Sequence, residues 1–101
     1  MLKLLTDNEK GKTYQADNLK IYYRNKDSVS GNNAENIEEQ IYLISGEIEF
    51  TVEDKVEKIS APAEIKIPAK TFHKIIALTN IVPCLQKHHR PFFFKILNII
   101  L

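Results

Sequence analysis

The stretch ENIEEQIYLISGEIEF, residues 35–50, decides the fold class of this chain. From Glu47 to Val52 apolar side chains alternate with polar ones, and this period of two is typical of a strand with one buried face. We expect Ile48, Phe50 and Val52 to point inward. An apolar run precedes Gly46, so the whole stretch is interpreted as a β-hairpin.

Further short strands follow the same rhythm along the chain. Runs rich in β-forming residues predict strands at 18–25, 40–45, 56–59, 64–67, 73–78 and 81–87. Ile65 and Ile67 are expected to face inward, and the turn-forming composition of residues 31–36 predicts a loop. Strands that recur every eight to twelve residues, with turn signals between them, indicate an all-β sandwich or small barrel.

Length and composition exclude several classes of protein. The chain has 101 residues, 44% of them hydrophobic, which suits one small domain over residues 1–101. A net charge of +1 gives no general electrostatic reason to expect nucleic acid or a membrane as partner. The first apolar run is too short for a signal peptide, and the lone Cys84 excludes a disulfide framework. We therefore expect a cytoplasmic protein.

Two spaced motifs give the chain a family resemblance. Glu39 and Gly46 reproduce the end of the pattern G-x5-H-x-H-x3-4-E-x6-G, and Pro68 and His73 have the separation found in G-x5-P-x-G-x2-H-x3-N. In this order and strand rhythm, the sequence resembles the cupins over about residues 33–77. The resemblance implies an antiparallel double-stranded β-helix, which is a jelly-roll or cupin-like barrel.

The resemblance also implies a metal site, but with altered ligands. The two histidines of the first motif correspond to Asn33 and Glu35. Of the four family ligands only Glu39 and His73 remain, and Glu35 is a possible replacement. Three glycine and asparagine positions of the second motif hold other residues, namely Pro62, Lys70 and Ala77. The expected cofactor is thus none, or a weakly held divalent metal ion on Glu39, His73 and Glu35.

The period of two along the strands places Glu39 and His73 toward the interior. Glu39 shares its predicted face with Ile41 and Leu43, and His73 shares its own with Ala77. A buried carboxylate needs a cation, a hydrogen-bond donor or water. Glu39 and His73 could hold an ion or a polar ligand, or they could form a wetted pair at the polar mouth of the barrel, where substitution costs little stability.

Other polar and aromatic residues are weaker candidates. Tyr42 is a possible ligand-binding residue, although aromatic residues on strands more often form cross-strand pairs. Glu38 lies on the opposite strand face from Glu39 and is expected to face solvent. Cys84 is expected to be a small buried hydrophobic residue. The segment Lys87–Arg90 is interpreted as an exposed basic loop.

Three functions are open on this basis. The first is a cupin-like small-molecule-binding or regulatory module without enzymatic activity. The second is a metal-dependent enzyme of isomerase or dioxygenase type that uses Glu39, His73 and Glu35. The third is an assembly module without a ligand.

The C-terminal segment RPFFFKILNIIL, Arg90–Leu101, matches neither motif. Among its last ten residues only Lys95 and Asn98 are polar, so it would be an aggregation hazard if it were left in water. It could complete the barrel, pack on a second subunit or be disordered. We expect it to be buried at a homodimer interface, because small cupins often form pairs.

Overall fold

A computed structural model describes residues 2–87, and these residues form ten β-strands and no helix. In chain order the strands are β1 (Lys3–Asn8), β2 (Gly11–Gln15), β3 (Leu19–Arg24), β4 (Val29–Asn33), β5 (Glu39–Leu43), β6 (Glu47–Val52), β7 (Lys55–Ser60), β8 (Ala63–Ile67), β9 (His73–Ala77) and β10 (Val82–Lys87).

The strands form two antiparallel sheets that face each other. Sheet A has the order β1-β2-β3-β10-β5-β8, and sheet B has the order β4-β9-β6-β7. Strands that follow each other in the chain often lie in different sheets, as in a jelly roll. The prediction of an all-β jelly-roll fold is confirmed.

The predicted hairpin at residues 35–50 is wrong, although both of its strands exist. Strand β5 pairs with β10 and β8 in sheet A, whereas β6 pairs with β7 and β9 in sheet B. Gly46, at φ +85°, lies where the chain crosses between the sheets, and a Cβ there would come within 2.5 Å of Thr79 Oγ1. The same threonine hydroxyl accepts a hydrogen bond from the Glu47 amide at 3.2 Å. A tight turn therefore joins two sheets rather than two paired strands.

Three strands were missed by the sequence reasoning. Strands β1 and β2 have no clear alternation of apolar and polar residues, and all six residues of β1 are exposed. Strand β4 includes Gly31–Asn33, which were assigned to a loop from their turn-forming composition. The segment joins the sheet by pairing with β9, and its turn-forming residues lie at an irregularity of that ladder, where Gly31 and Asn32 have positive φ.

The predicted inward faces are confirmed. Ile48 and Phe50 on β6 are buried, as are Ile65 and Ile67 on β8. Val52 is partly buried and packs against the same cluster. The core lies between the sheets and consists of Ile41, Leu43, Ile48, Phe50, Ile65, Ile67, Ala77, Val82 and Cys84.

Two further observations concern membrane-spanning helices and the C-terminal residues. Within residues 2–87 no helix has the length and apolar character of a membrane span. The predictions for the C-terminal segment Arg90–Leu101 and for His88 and His89 fall outside the described residues.

Candidate functional site

A cavity of about 670 Å³ opens between the two sheets beside the apolar core. Polar residues on the inner faces of β3, β5 and β10 form one wall, and residues of β4 and β9 form the other. The residues that carry its chemistry are Tyr22, Arg24, Ser30, Glu39, His73 and Gln86. A cavity of this size could enclose a small organic molecule.

The structure brings Glu39 and His73 together across this cavity. Glu39 Oε2 lies 3.3 Å from His73 Nε2, and the two residues come from opposite sheets. His73 is only 5% exposed, so the expectation that it lies at an open polar mouth is wrong. Strand β9 lies between β4 and β6 in sheet B, and His73 pairs with Val52 on β6 and lies beside Gly31 on β4.

A backbone carbonyl fixes the orientation of the His73 ring. His73 Nδ1 lies 3.0 Å from the carbonyl oxygen of Thr71, which can only accept, so Nδ1 carries a hydrogen. In a neutral imidazole, Nε2 then presents a lone pair toward Glu39 Oε2. That carboxylate oxygen is buried and has no hydrogen-bond partner among the described residues. The pair therefore needs a shared proton, a cation or a donor group from a ligand.

The other carboxylate oxygen of Glu39 belongs to a hydrogen-bond chain along sheet A. Gln86 Nε2 donates to Glu39 Oε1, and the Tyr22 hydroxyl donates to Gln86 Oε1 at 2.5 Å. The three residues lie on the neighbouring strands β3, β10 and β5. Sequence reasoning missed Gln86, although it shares the inward period of β10 with Val82 and Cys84.

Arg24 places a positive charge at the wall of the same cavity. Its Nη2 donates to Thr13 Oγ1 at 3.0 Å, and its Nε donates to Ser30 Oγ on the opposite sheet at 3.2 Å. The guanidinium carbon lies 4.7 Å from the centre of the Tyr22 ring, a cation–π arrangement. Burial lowers the pKa of Arg24, and burial raises the pKa of Tyr22 although the nearby guanidinium opposes that change.

The side chain of Asn36 and the backbone of Gly31 position His73. The side chain of Asn36 donates to the Pro68 carbonyl at 2.8 Å and accepts from the Thr71 amide at 3.1 Å, which ties the loop before β9 to the loop before β5. Gly31, at φ +78°, packs directly against the ring, because a Cβ there would lie 2.7 Å from His73 Cδ2. A side chain at this position would displace the imidazole.

The other predicted site residues are Glu35 and Tyr42, and they lie in different surroundings from Glu39 and His73. Glu35 lines the cavity but is exposed. Tyr42 lies on the opposite face of β5 from Glu39 and does not line this cavity, whereas Tyr22 does. Cys84 is buried at the cavity wall, and burial raises its pKa to about 11, so the thiol is inert at neutral pH.

The residues present do not fit a resident metal ion well. Across residues 2–87 no group of three or more histidine, cysteine, aspartate or glutamate side chains is arranged to hold a metal. Glu39 Oε2 and His73 Nε2 are close enough to be neighbouring ligands, but Glu35 does not complete a three-ligand centre with them.

Comparisons with known proteins identify the fold. No protein-family model and no curated protein matches the sequence. Among solved structures, a cupin-2 domain protein from Rhodospirillum rubrum has a TM-score of 0.67 at 14% identity, over 89% of this chain and 72% of that one. A cupin superfamily protein from Desulfitobacterium hafniense has a TM-score of 0.62 at 13% identity, over 89% and 77%.

The capsular polysaccharide assembling protein CapF from Staphylococcus aureus is similar over a smaller part of its length. It has a TM-score of 0.67 at 16% identity, and the match covers 89% of this chain but only 29% of CapF. The chain thus spans under a third of that protein. Identities this low establish the fold and leave the activity open. The chain described here has a cupin-like fold.

Proposed function

We propose that this chain is a non-enzymatic module that binds a small polar molecule in the cavity between its sheets. The observation that supports the proposal is the buried Glu39 Oε2, which faces His73 Nε2 at 3.3 Å without a hydrogen-bond donor. A hydroxyl or amine of a ligand would supply that donor. Gln86 and Tyr22 hold the carboxylate in place before the ligand arrives.

The proposal can be tested by nuclear magnetic resonance with uniformly ¹⁵N-labelled protein. Monosaccharides, polyols and hydroxy acids would be added singly at millimolar concentration. We expect at least one of these compounds to shift the signals of Tyr22, His73 and Gln86 saturably, while signals from the outer strand β7 stay unchanged. Glu39→Gln should weaken binding by about tenfold, since it replaces a charge-assisted hydrogen bond by a neutral one.

Glu38→Gln is the matched control, because Glu38 is the neighbouring carboxylate, is exposed and does not line the cavity. It should leave the affinity unchanged. If every compound fails to shift the cavity signals, the proposal of a small polar ligand is wrong. Equal effects of the two substitutions would also contradict the role of Glu39.

A metal-dependent enzyme is the alternative function. The backbone carbonyl at Nδ1 holds the His73 ring as a hydrogen-bond acceptor commonly holds the ring of a metal-binding histidine, which favours this alternative. Against it, no third histidine, cysteine, aspartate or glutamate among residues 2–87 completes a metal site with Glu39 and His73. Metal analysis of protein purified without a histidine tag decides between the two functions. Stoichiometric manganese, iron, nickel or zinc that is lost in the His73→Ala variant would overturn the non-enzymatic proposal.

A ligand-free assembly module is the third function implied by the sequence. It predicts an interior filled by side chains. The cavity of about 670 Å³ supports ligand binding instead.

A further inference from the structure

Arg24 has no acidic partner in the part of the chain that the structure describes. Its guanidinium is half-buried, and its three hydrogen-bond acceptors are uncharged: Thr13 Oγ1, Ser30 Oγ and the Lys12 carbonyl oxygen at 3.4 Å. The ion pairs among residues 2–87 involve other side chains. Partly buried charges are usually paired, and Arg24 has no such partner. Its positive charge is therefore available to a ligand.

The geometry of the guanidinium suits an anion. A guanidinium has five N–H groups, and three are used by these acceptors, so one N–H remains on each terminal nitrogen. Two such donors form the fork that binds carboxylate or phosphate oxygens in pairs. The Tyr22 ring beneath the guanidinium and the hydroxyl of Ser30 hold the fork in one orientation.

Lys10 adds a second cation to this part of the cavity. It lies in the turn between β1 and β2 and lines the same cavity as Arg24. Its ammonium group forms no ion pair within the described residues. The carboxylate of Glu39, in contrast, accepts a hydrogen bond from Gln86 on Oε1 and keeps Oε2 as an unused acceptor. The cavity therefore offers two unpaired positive groups, Arg24 and Lys10, and one carboxylate acceptor, Glu39.

Arg24 could instead be a purely structural brace, since it links β2 and β3 of sheet A to β4 of sheet B. A brace explains the three hydrogen bonds. It does not explain why a charged group, with its desolvation cost, faces a cavity that contains a second cation.

We propose that the ligand of this cavity is a small organic anion, whose carboxylate or phosphate group binds Arg24 and Lys10 and whose hydroxyl group binds Glu39. This inference rests on the proposed function and specifies the chemical class of its ligand. Electrostatic attraction of this kind weakens as salt increases, so the affinity should fall with ionic strength.

The test uses three probes with the same carbon skeleton, namely glycerate, glycerol 3-phosphate and glycerol. Each is titrated into labelled protein, and the Arg24 Nε–H signal and the Ser30 and Gly31 amide signals are followed. We expect one or both anions to shift these signals and glycerol to bind at least about tenfold more weakly. The stronger of the two anions identifies carboxylate or phosphate as the preferred group.

Two substitutions and one control test the residues. Lys10→Gln and Arg24→Gln should each weaken anion binding by about tenfold and flatten its salt dependence. Lys12→Gln removes a neighbouring lysine whose side chain is exposed and does not line the cavity, so it should leave binding unchanged. Lys10→Gln keeps the test decisive if Arg24→Gln fails to fold, since Lys10 is exposed.

The outcomes separate the two proposals. If glycerol binds as tightly as the anions, or if Lys10→Gln and Lys12→Gln behave alike, the ligand is not an anion held as described, but the small-molecule function stands. If neither these probes nor the wider set of polar compounds bind, both proposals are wrong.

Discussion

When the imidazole is neutral, His73 and Glu39 present lone pairs to each other, because the Thr71 carbonyl holds the hydrogen of the ring on Nδ1. Glu39→Gln should relieve this conflict. The new amide nitrogen can donate to His73 Nε2, and the amide oxygen can still accept from Gln86. We expect the free energy of unfolding at neutral pH to stay the same or rise by up to about 1 kcal/mol, measured by urea denaturation.

The control for this substitution is again Glu38→Gln, which changes an exposed carboxylate and should change stability by less than about 0.5 kcal/mol. A loss of more than about 2 kcal/mol in Glu39→Gln would show that the carboxylate is required for folding rather than for binding.

Gly31→Ala tests the fit between β4 and the imidazole. The new Cβ would lie 2.7 Å from His73 Cδ2, and the backbone at φ +78° is strained for a residue with a side chain. We expect a loss of about 1–2 kcal/mol of stability from the backbone alone, together with a displaced His73 ring signal. Thermal denaturation and the imidazole resonances of His73 measure the two effects.

Gly46→Ala is the matched control, because Gly46 has a similar φ of +85° but contacts Thr79 and Val82 instead. It should lower stability and leave the His73 resonances in place. If both variants leave the His73 ring unchanged, Gly31 does not position the imidazole.

The sequence predicted only part of the site at the level of residues. Glu39 and His73 could be found because motif spacing carries them, and the strand period placed both inward. Arg24 and Gln86 come from strands distant in the chain, and only the pairing of β10 with β3 and with β5 brings them into one cavity with Glu39. A local pattern has no information about that pairing.

At the scale of elements, β6 shows how well a period of two predicts burial. Phe50 is 6% exposed and packs in the core between the sheets. Phe50→Ala should therefore lower the free energy of unfolding by about 3–5 kcal/mol in chemical denaturation. Val56→Ala on the neighbouring strand β7 is the control, because Val56 is 64% exposed and should change stability by less than about 0.5 kcal/mol. Similar values for the two variants would contradict the assigned inward face.

The same strand shows what a period cannot predict. Alternation identified β5 and β6 as strands but not their partners, and the tight turn at Gly46 suits a hairpin and a crossover equally. Whether the chain crosses depends on partners that come later in the sequence. Strand β10 begins 39 residues after β5 ends, and β9 begins 21 residues after β6 ends. Strand β4 was missed for a related reason, since β9 supplies its pairing.

At the scale of the molecule, the outer face of sheet A carries an apolar row. Leu4 pairs with Tyr14, Tyr14 with Ile21, Ile21 with Leu85, and Leu85 with Tyr42. These five side chains, one from each of five adjacent strands, lie on the face away from the core. An apolar row of this kind can meet the same row of a second copy about a two-fold axis.

We expect this face to form a homodimer with a second copy of the chain. Strand β10 carries Leu85 in the middle of the row, and the apolar segment 90–101 follows β10 in the sequence. Leu85→Lys should then convert a dimer to a monomer in size-exclusion chromatography with light scattering, because a dimer would bury two unpaired charges there. Val56→Lys, an equally apolar exposed site on sheet B, should stay dimeric.

Deletion of residues 92–101 should give a monomer or an aggregate. A wild-type monomer, or a soluble dimer that survives both Leu85→Lys and the deletion, would show that neither the row nor the segment forms the interface.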